Sequence, residues 1–175
     1  TFFVLFSHCT KIANMIFSYK EGLSAQEKSH KDNYMEIIPL FPVSKENTRS
    51  SGSGSFDKAI EKSQKAIKLH SIKQKPKKKA GRKLSEKDKL WYAKKEYNPY
   101  LHNAWMLMGK AQFQKGEFLE AASTFSYITR LYSEDPKIVA EARMRMAQCY
   151  AELEWNYEAE AVLSARRQPS LCAVF

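Results

Sequence analysis

The sequence predicts an all-α chain built from helical hairpins. Three observations carry that expectation: apolar residues recur at helical spacing over four successive segments, Pro and Gly breaks separate those segments, and one residue pattern returns at a fixed offset. The chain has 175 residues, with 43% hydrophobic and 13% aromatic content, enough for one modest folded domain. Its formal charge is +10, from 29 Lys plus Arg against 19 Asp plus Glu. The three cysteines, Cys9, Cys149 and Cys172, lie far apart without a C-x-x-C pair, which excludes a zinc ribbon, a redox dithiol and a disulfide scaffold. No run of 18 apolar residues is present to cross a bilayer.

Residues 1–18 form an atypical N-terminus. Thr1-Phe2-Phe3-Val4-Leu5-Phe6-Ser7-His8-Cys9 has the apolarity of a secretion signal ending at a lipid-bearing cysteine. It lacks a basic leader, and His8 stands where such cleavage needs a small residue. Residues 19–72 read as an irregular first helical repeat, with a helix over Tyr19 to Met35 and a Pro/Ser/Gly loop over 39–55. Ser55 is the expected cap of the next helix, whose apolar residues Phe56, Ala59, Ile60, Ala66, Ile67 and Leu69 recur at three and four, with a gap at Ser63.

Residues 73–98 form a basic insertion. The stretch 65–95 holds thirteen Lys or Arg against Glu86 and Asp88, a local balance of +11 (13 less 2), leaving −1 (10 less 11) for the rest. The surplus therefore describes one segment and not the folded surface. Its basic patch is Lys73, Lys75, Lys77, Lys78, Lys79, Arg82 and Lys83, with Pro76 and Gly81 opposing a helix. A solvated insertion, an anionic-partner or nucleic-acid contact and a nuclear localisation signal all fit such a run. The first is favoured for a block of like charges, and a single-strand binder is disfavoured because no aromatic residue for base stacking occurs from Ser71 to Leu90. A short helix is expected around Ser85 to Lys95, then a turn at Asn98-Pro99.

The clearest periodicity follows. Leu101 to Lys115 and Phe118 to Tyr132 flank Gly116, and Asp135-Pro136 opens a second pair, Ile138 to Leu153 and Trp155 to Arg166. Gly109 aligns with Ala147, Ala121 with Ala159, and Phe125 with Leu163, each at an offset of 38. Bulk from Trp105, Met108 and Phe113 fills one face of the first helix, while Gly109 removes a side chain where the second helix crosses.

Trp105-x-x-Met108-Gly109, then Gly116, Phe118, Ala121 and Phe125, resembles the tetratricopeptide repeat in order and spacing. That resemblance implies a helical-hairpin solenoid, with one repeat over 99–136, a further and incomplete one over 137–167, a tail over 168–175, and the basic insertion 73–98 between the irregular first repeat over 19–72 and the repeat over 99–136. Arg143 and Glu154 depart from the pattern where tryptophan and the inter-helix glycine are expected. A narrower resemblance rests on Tyr19-Lys20-Glu21-Gly22, Glu27 to Tyr34, Pro39-x-Phe41-Pro42, Lys58 to Lys62, Lys65 to Lys73, Asn98-Pro99-Tyr100 and Gly109 to Phe125. These runs are similar to the large tetratricopeptide lipoproteins of the Bacteroidetes type IX secretion and gliding-motility machinery, over roughly Tyr19 to Leu163. The resemblance implies a fragment of a longer, non-catalytic interaction scaffold at the periplasmic face of the outer membrane. Its partners would be components of that machinery, and its membrane contact would run only through a lipid anchor.

In such an array the first helix of each pair lines a concave face. That face should present Asn103, Met106, Lys110, Phe113 and Gln114, then Glu141, Met144, Gln148 and Glu152; alternatively Met106, Phe113 and Met144 pack between neighbouring repeats. The two-Lys, two-Asn clamp with which some relatives hold a C-terminal carboxylate is missing. No catalytic, metal or cofactor set is legible. His8, His30, His70 and His102 have no partner at ligand spacing, Glu158 and Glu160 diverge on a helix, and Gly52-Ser53-Gly54 lacks the features of a phosphate loop. The alternative function is a nucleic-acid-associated adaptor acting through residues 73–83.

Overall fold

The structure, a computed structural model, describes residues 2–35, 37–75 and 85–164, with side chains described from residue 13 onward. Its described elements are helices, with no strand: α1 (Phe2–Ser29), a 3-10 turn (Pro42–Ser44), α2 (Glu46–Ser50), α3 (Ser53–His70), α4 (Glu86–Ala93), α5 (Leu101–Lys115), α6 (Phe118–Leu131), α7 (Pro136–Glu152) and α8 (Asn156–Ser164).

The long helices pack in sequence: α1 on α3, α3 on α5, α5 on α6, α6 on α7, and α7 on α8. Additional contacts link α1 to α5 and α5 to α7, so these three line up along one side of the molecule. Buried Phe56, Ala59, Ser63 and Ala66 form the inner stripe of α3. Ala59 packs with Ala111 of α5, and Ala66 with Met15 of α1 and Ala104 of α5. Small residues at these positions let the three helices approach closely. Ser63 is no gap in the stripe: it is fully buried, and its hydroxyl donates to the Ala59 carbonyl at 2.7 Å, so its polarity is satisfied locally. The main core fills the space between α5, α6 and α7, with Phe113, Phe118, Phe125, Ile128, Ala142 and Cys149. Burial there pushes the Cys149 thiol up to about 12.

Helix boundaries follow local chemistry. Asp135 caps α7 by accepting from the amides of Lys137 and Ile138, at 3.1 and 3.4 Å, with Pro136 in the first turn. Gly116 ends α5 at φ +90, where its amide donates to Phe113 at 2.9 Å and that of Glu117 to Gln112 at 2.9 Å. At the end of α7, Glu154 donates to Ala151 at 3.1 Å and Trp155 to Tyr150 at 2.9 Å, with Glu154 at φ 61. Both bonds recur at the offset of 38, so Glu154 performs the left-handed turn that Gly116 performs in the preceding pair.

Two expected boundaries are corrected. The first helix spans Phe2–Ser29 instead of Tyr19 to Met35, crossing the expected break at residue 18 without interruption. In its last turn the His30 amide still donates to the Gln26 carbonyl at 2.8 Å, and the Ser29 hydroxyl shares that acceptor at 3.0 Å. Ser55 does not cap α3, which begins after Gly52 at φ 82; the Ser55 hydroxyl instead donates to Glu21 at 3.3 Å. A Cβ on Gly52 would lie 2.6 Å from the Gly22 carbonyl oxygen, and one on Gly22 would lie 2.6 Å from the Phe56 ring. Both glycines are thus required by the close crossing of α1 and α3.

Candidate protein-binding face

Because α1, α5 and α7 adjoin, residues on one face of each meet in an open groove of about 620 Å³. Its apolar lining is Ile16, Met106, Leu107 and Ile138; Asn103, Lys110 and Glu141 supply polar groups. Lys110 bridges α5 and α7 by donating to Glu141 at 2.7 Å, and this bond holds the Glu141 carboxyl below the usual carboxylate range. Both partners remain partly exposed, so solvent screens the pair and its role is to set the helix spacing more than to add stability.

The nine expected concave-face residues separate into three groups. Asn103, Lys110 and Glu141 line the groove, and Met106 lies in its lining while itself only 5% exposed. Met144 is 45% exposed, while Gln148 is half-buried and accepts from Arg145 at 3.1 Å. Phe113, Gln114 and Glu152 are engaged by the chain itself. Phe113 is buried against Phe41 and Phe118, with ring centroids at 5.6 and 5.3 Å. The Gln114 carbonyl accepts from the Gln26 side chain at 2.8 Å, and Glu152 accepts from Ser44. Of the three residues for which packing between neighbouring repeats is the alternative, Met106 and Phe113 are buried and Met144 is exposed.

Of the basic patch, Lys73 and Lys75 are exposed, and Lys77, Lys78, Lys79, Arg82 and Lys83 lie outside the described residues. The two flanks of this segment are fastened together by Glu96, which is 4% exposed. Its carboxylate accepts from the Ser71 hydroxyl at 2.6 Å, the Ile72 amide at 2.7 Å and the Asn98 amide at 2.9 Å. The Tyr97 amide donates to Ile72 at 3.0 Å, and the Asn98 side chain to the His70 carbonyl at 2.8 Å. Inside the insertion, α4 starts with reciprocal bonds between Ser85 and Asp88 and buries no side chain.

Sequence reasoning missed the contributions of Ile16, Leu107 and Ile138 to the groove and the placement of Tyr19 near Arg145. Burial raises the Tyr19 hydroxyl's pKa, opposed by the Arg145 charge and a bond with Gln114. A helical apolar pattern marks such residues as inward-facing without saying which neighbour they meet. Among the described residues no three His, Cys, Asp or Glu side chains converge as a metal site, and no helix is long and apolar enough to cross a membrane. No family model matches the chain, and no curated protein or solved structure matches it either.

Proposed function

We propose that this chain is a non-catalytic protein-protein interaction scaffold of tetratricopeptide type, which holds an extended segment of a partner in the groove between α1, α5 and α7. The observation that carries this reading is the groove itself, with an apolar floor running past Met106 and Ile138 beneath the polar Asn103, Lys110 and Glu141. Such a lining meets two needs of an extended peptide: cover for alternate apolar side chains, and partners for its backbone amides and carbonyls. Further support is the return of the same turn hydrogen bonds at the offset of 38, which is the behaviour of a stacked repeat.

The test is a panel of extended peptides bound to the purified chain. Binding should be lost on Ile138→Asp and retained on Leu119→Asp, which alters an exposed residue outside the groove lining. Binding that ignores Ile138, or no binding at all, would overturn the reading.

The place of this scaffold in type IX secretion and gliding motility, at the periplasmic face of the outer membrane, rests on the sequence resemblance. Disrupting the gene should abolish both the export of secreted proteins and spreading on a surface. Normal export and spreading would remove that assignment and leave the scaffold reading standing.

A further inference from the structure

Part of the concave face is already covered by the chain's own linker. The Phe41 ring meets Phe113 edge-on at 5.6 Å, and Val43 is 1% exposed within the same apolar cluster as Met106, Phe113 and Phe118. Ser44 donates its hydroxyl to the Glu152 carboxylate, 2.9 and 2.7 Å from its two oxygens. The next turn fastens this stretch from behind. Arg49 donates from Nε to the Val43 carbonyl at 2.7 Å and from its terminal nitrogen to the Ser44 carbonyl at 3.0 Å, and its guanidinium lies 5.2 Å from the centre of the Phe118 ring. Immediately upstream the packing stops: Met35, Ile37 and Leu40 are 93%, 97% and 82% exposed.

A short stretch between a largely unpacked linker and one helical turn thus touches Phe113 and Glu152, two positions on the row of α5 and α7 assigned to a partner. We infer that residues 41–45 are a built-in occupant of the concave face, fastened by Arg49 and Glu152, which a partner's extended segment displaces to reach Phe113 and Glu152. The arrival of a partner rests on the scaffold reading above; the self-occupancy can be tested without one. Tethering gives the segment an effective concentration of the order of millimolar, so a free ligand making equivalent contacts competes at a disadvantage. Its apparent affinity falls in proportion to the fraction of molecules with this end of the face open.

The probe is a fluorescent synthetic peptide of residues 37–45, titrated by anisotropy against three full-length chains. One is native, one has residues 39–45 replaced by Gly/Ser at equal length, and one carries Ser44→Ala with Arg49→Ala, a milder change that keeps Phe41 and Val43. The emptied chain should bind the peptide at least about tenfold more tightly than the native chain, with the loosened chain between them. Glu152→Ala in the emptied chain should weaken that binding. If either variant keeps its helical circular dichroism yet binds the peptide no better than the native chain, the inference fails. Loss of helical structure in both variants overturns it too, because the segment is then an integral part of the core. A peptide that binds in an Ile138-dependent way while the 37–45 peptide binds no variant would sink the occupant and leave the scaffold reading intact.

Discussion

The crossing of α5 and α6 turns on one missing side chain. A Cβ on Gly109 would lie 2.7 Å from the Phe125 ring, which is fully buried. At the positions 38 residues on, the sequence has a larger Ala147 for Gly109 and a smaller Leu163 for Phe125. Gly109→Ala should therefore destabilise the chain by about 1–3 kcal/mol through overpacking. Phe125→Leu, costly alone, should cost less in the presence of Gly109→Ala. A double-mutant cycle by chemical denaturation measures the coupling, and simple additivity would show that the two side chains do not compete for the same space. Glu154 is the converse case, a side chain where glycine belongs. With φ at 61 it sits in the left-handed region, and Glu154→Gly should stabilise the chain by about 0.5–1 kcal/mol. The gain is net of the extra freedom glycine gives the unfolded chain. A lowered midpoint would mean that the Glu154 side chain makes a stabilising contact larger than its backbone strain.

Among the elements, the basic insertion depends on its fastening more than on its contents. Glu96 is buried and accepts from both flanks, Ser71 and Ile72 on one side and Asn98 on the other, while α4 buries nothing. Glu96→Ala leaves buried donors without their acceptor and should cost about 2–3 kcal/mol. Amide exchange should accelerate first at Ile72, Tyr97 and Asn98, and unchanged protection there would show that the tie is not what holds the flanks. The sequence places a short helix around Ser85 to Lys95, and the structure forms it over Glu86–Ala93 with Ser85 as its cap, a short-range arrangement. It does not identify Glu96, since one acid following a run of lysines reads as a local counter-charge until the fold sets it against the end of α3.

For the whole molecule, the same fastening holds the two flanks of the charged segment together at Glu96. Replacing residues 76–84 with Gly and Ser at equal length should leave stability within about 1 kcal/mol, because burying lysines without acids would carry a desolvation cost. The replacement should also remove the steepest salt dependence of any oligonucleotide binding while leaving peptide binding in the groove intact. Oligonucleotide binding that is tight and peptide binding that disappears would favour the adaptor reading. At the other end of the stack, Trp155, Tyr157 and Leu163 are 45%, 88% and 53% exposed on and beside α8, which buries no side chain. Its apolar surface is incompletely covered by α7.

The sequence by itself determined the all-α class, the bounds of α5 to within its end residues, the start of α7 and the offset of 38. Each of these depends on periodicity and capping within one or two turns of chain. Gly116 and Glu154 show how far this reaches: the offset pairs them, and the backbone confirms that both turn left-handed. Only the tertiary structure decided that Ser63 faces inward, that Gly22 makes room for Phe56, and that Phe41, Val43 and Ser44 leave a proline-rich linker to cover Phe113 and Glu152. These are contacts between residues distant in the chain, fixed by which helix faces pack together. Local propensity carries no record of that choice, because a residue's own neighbours in sequence are the same whether the groove beside it is open or filled.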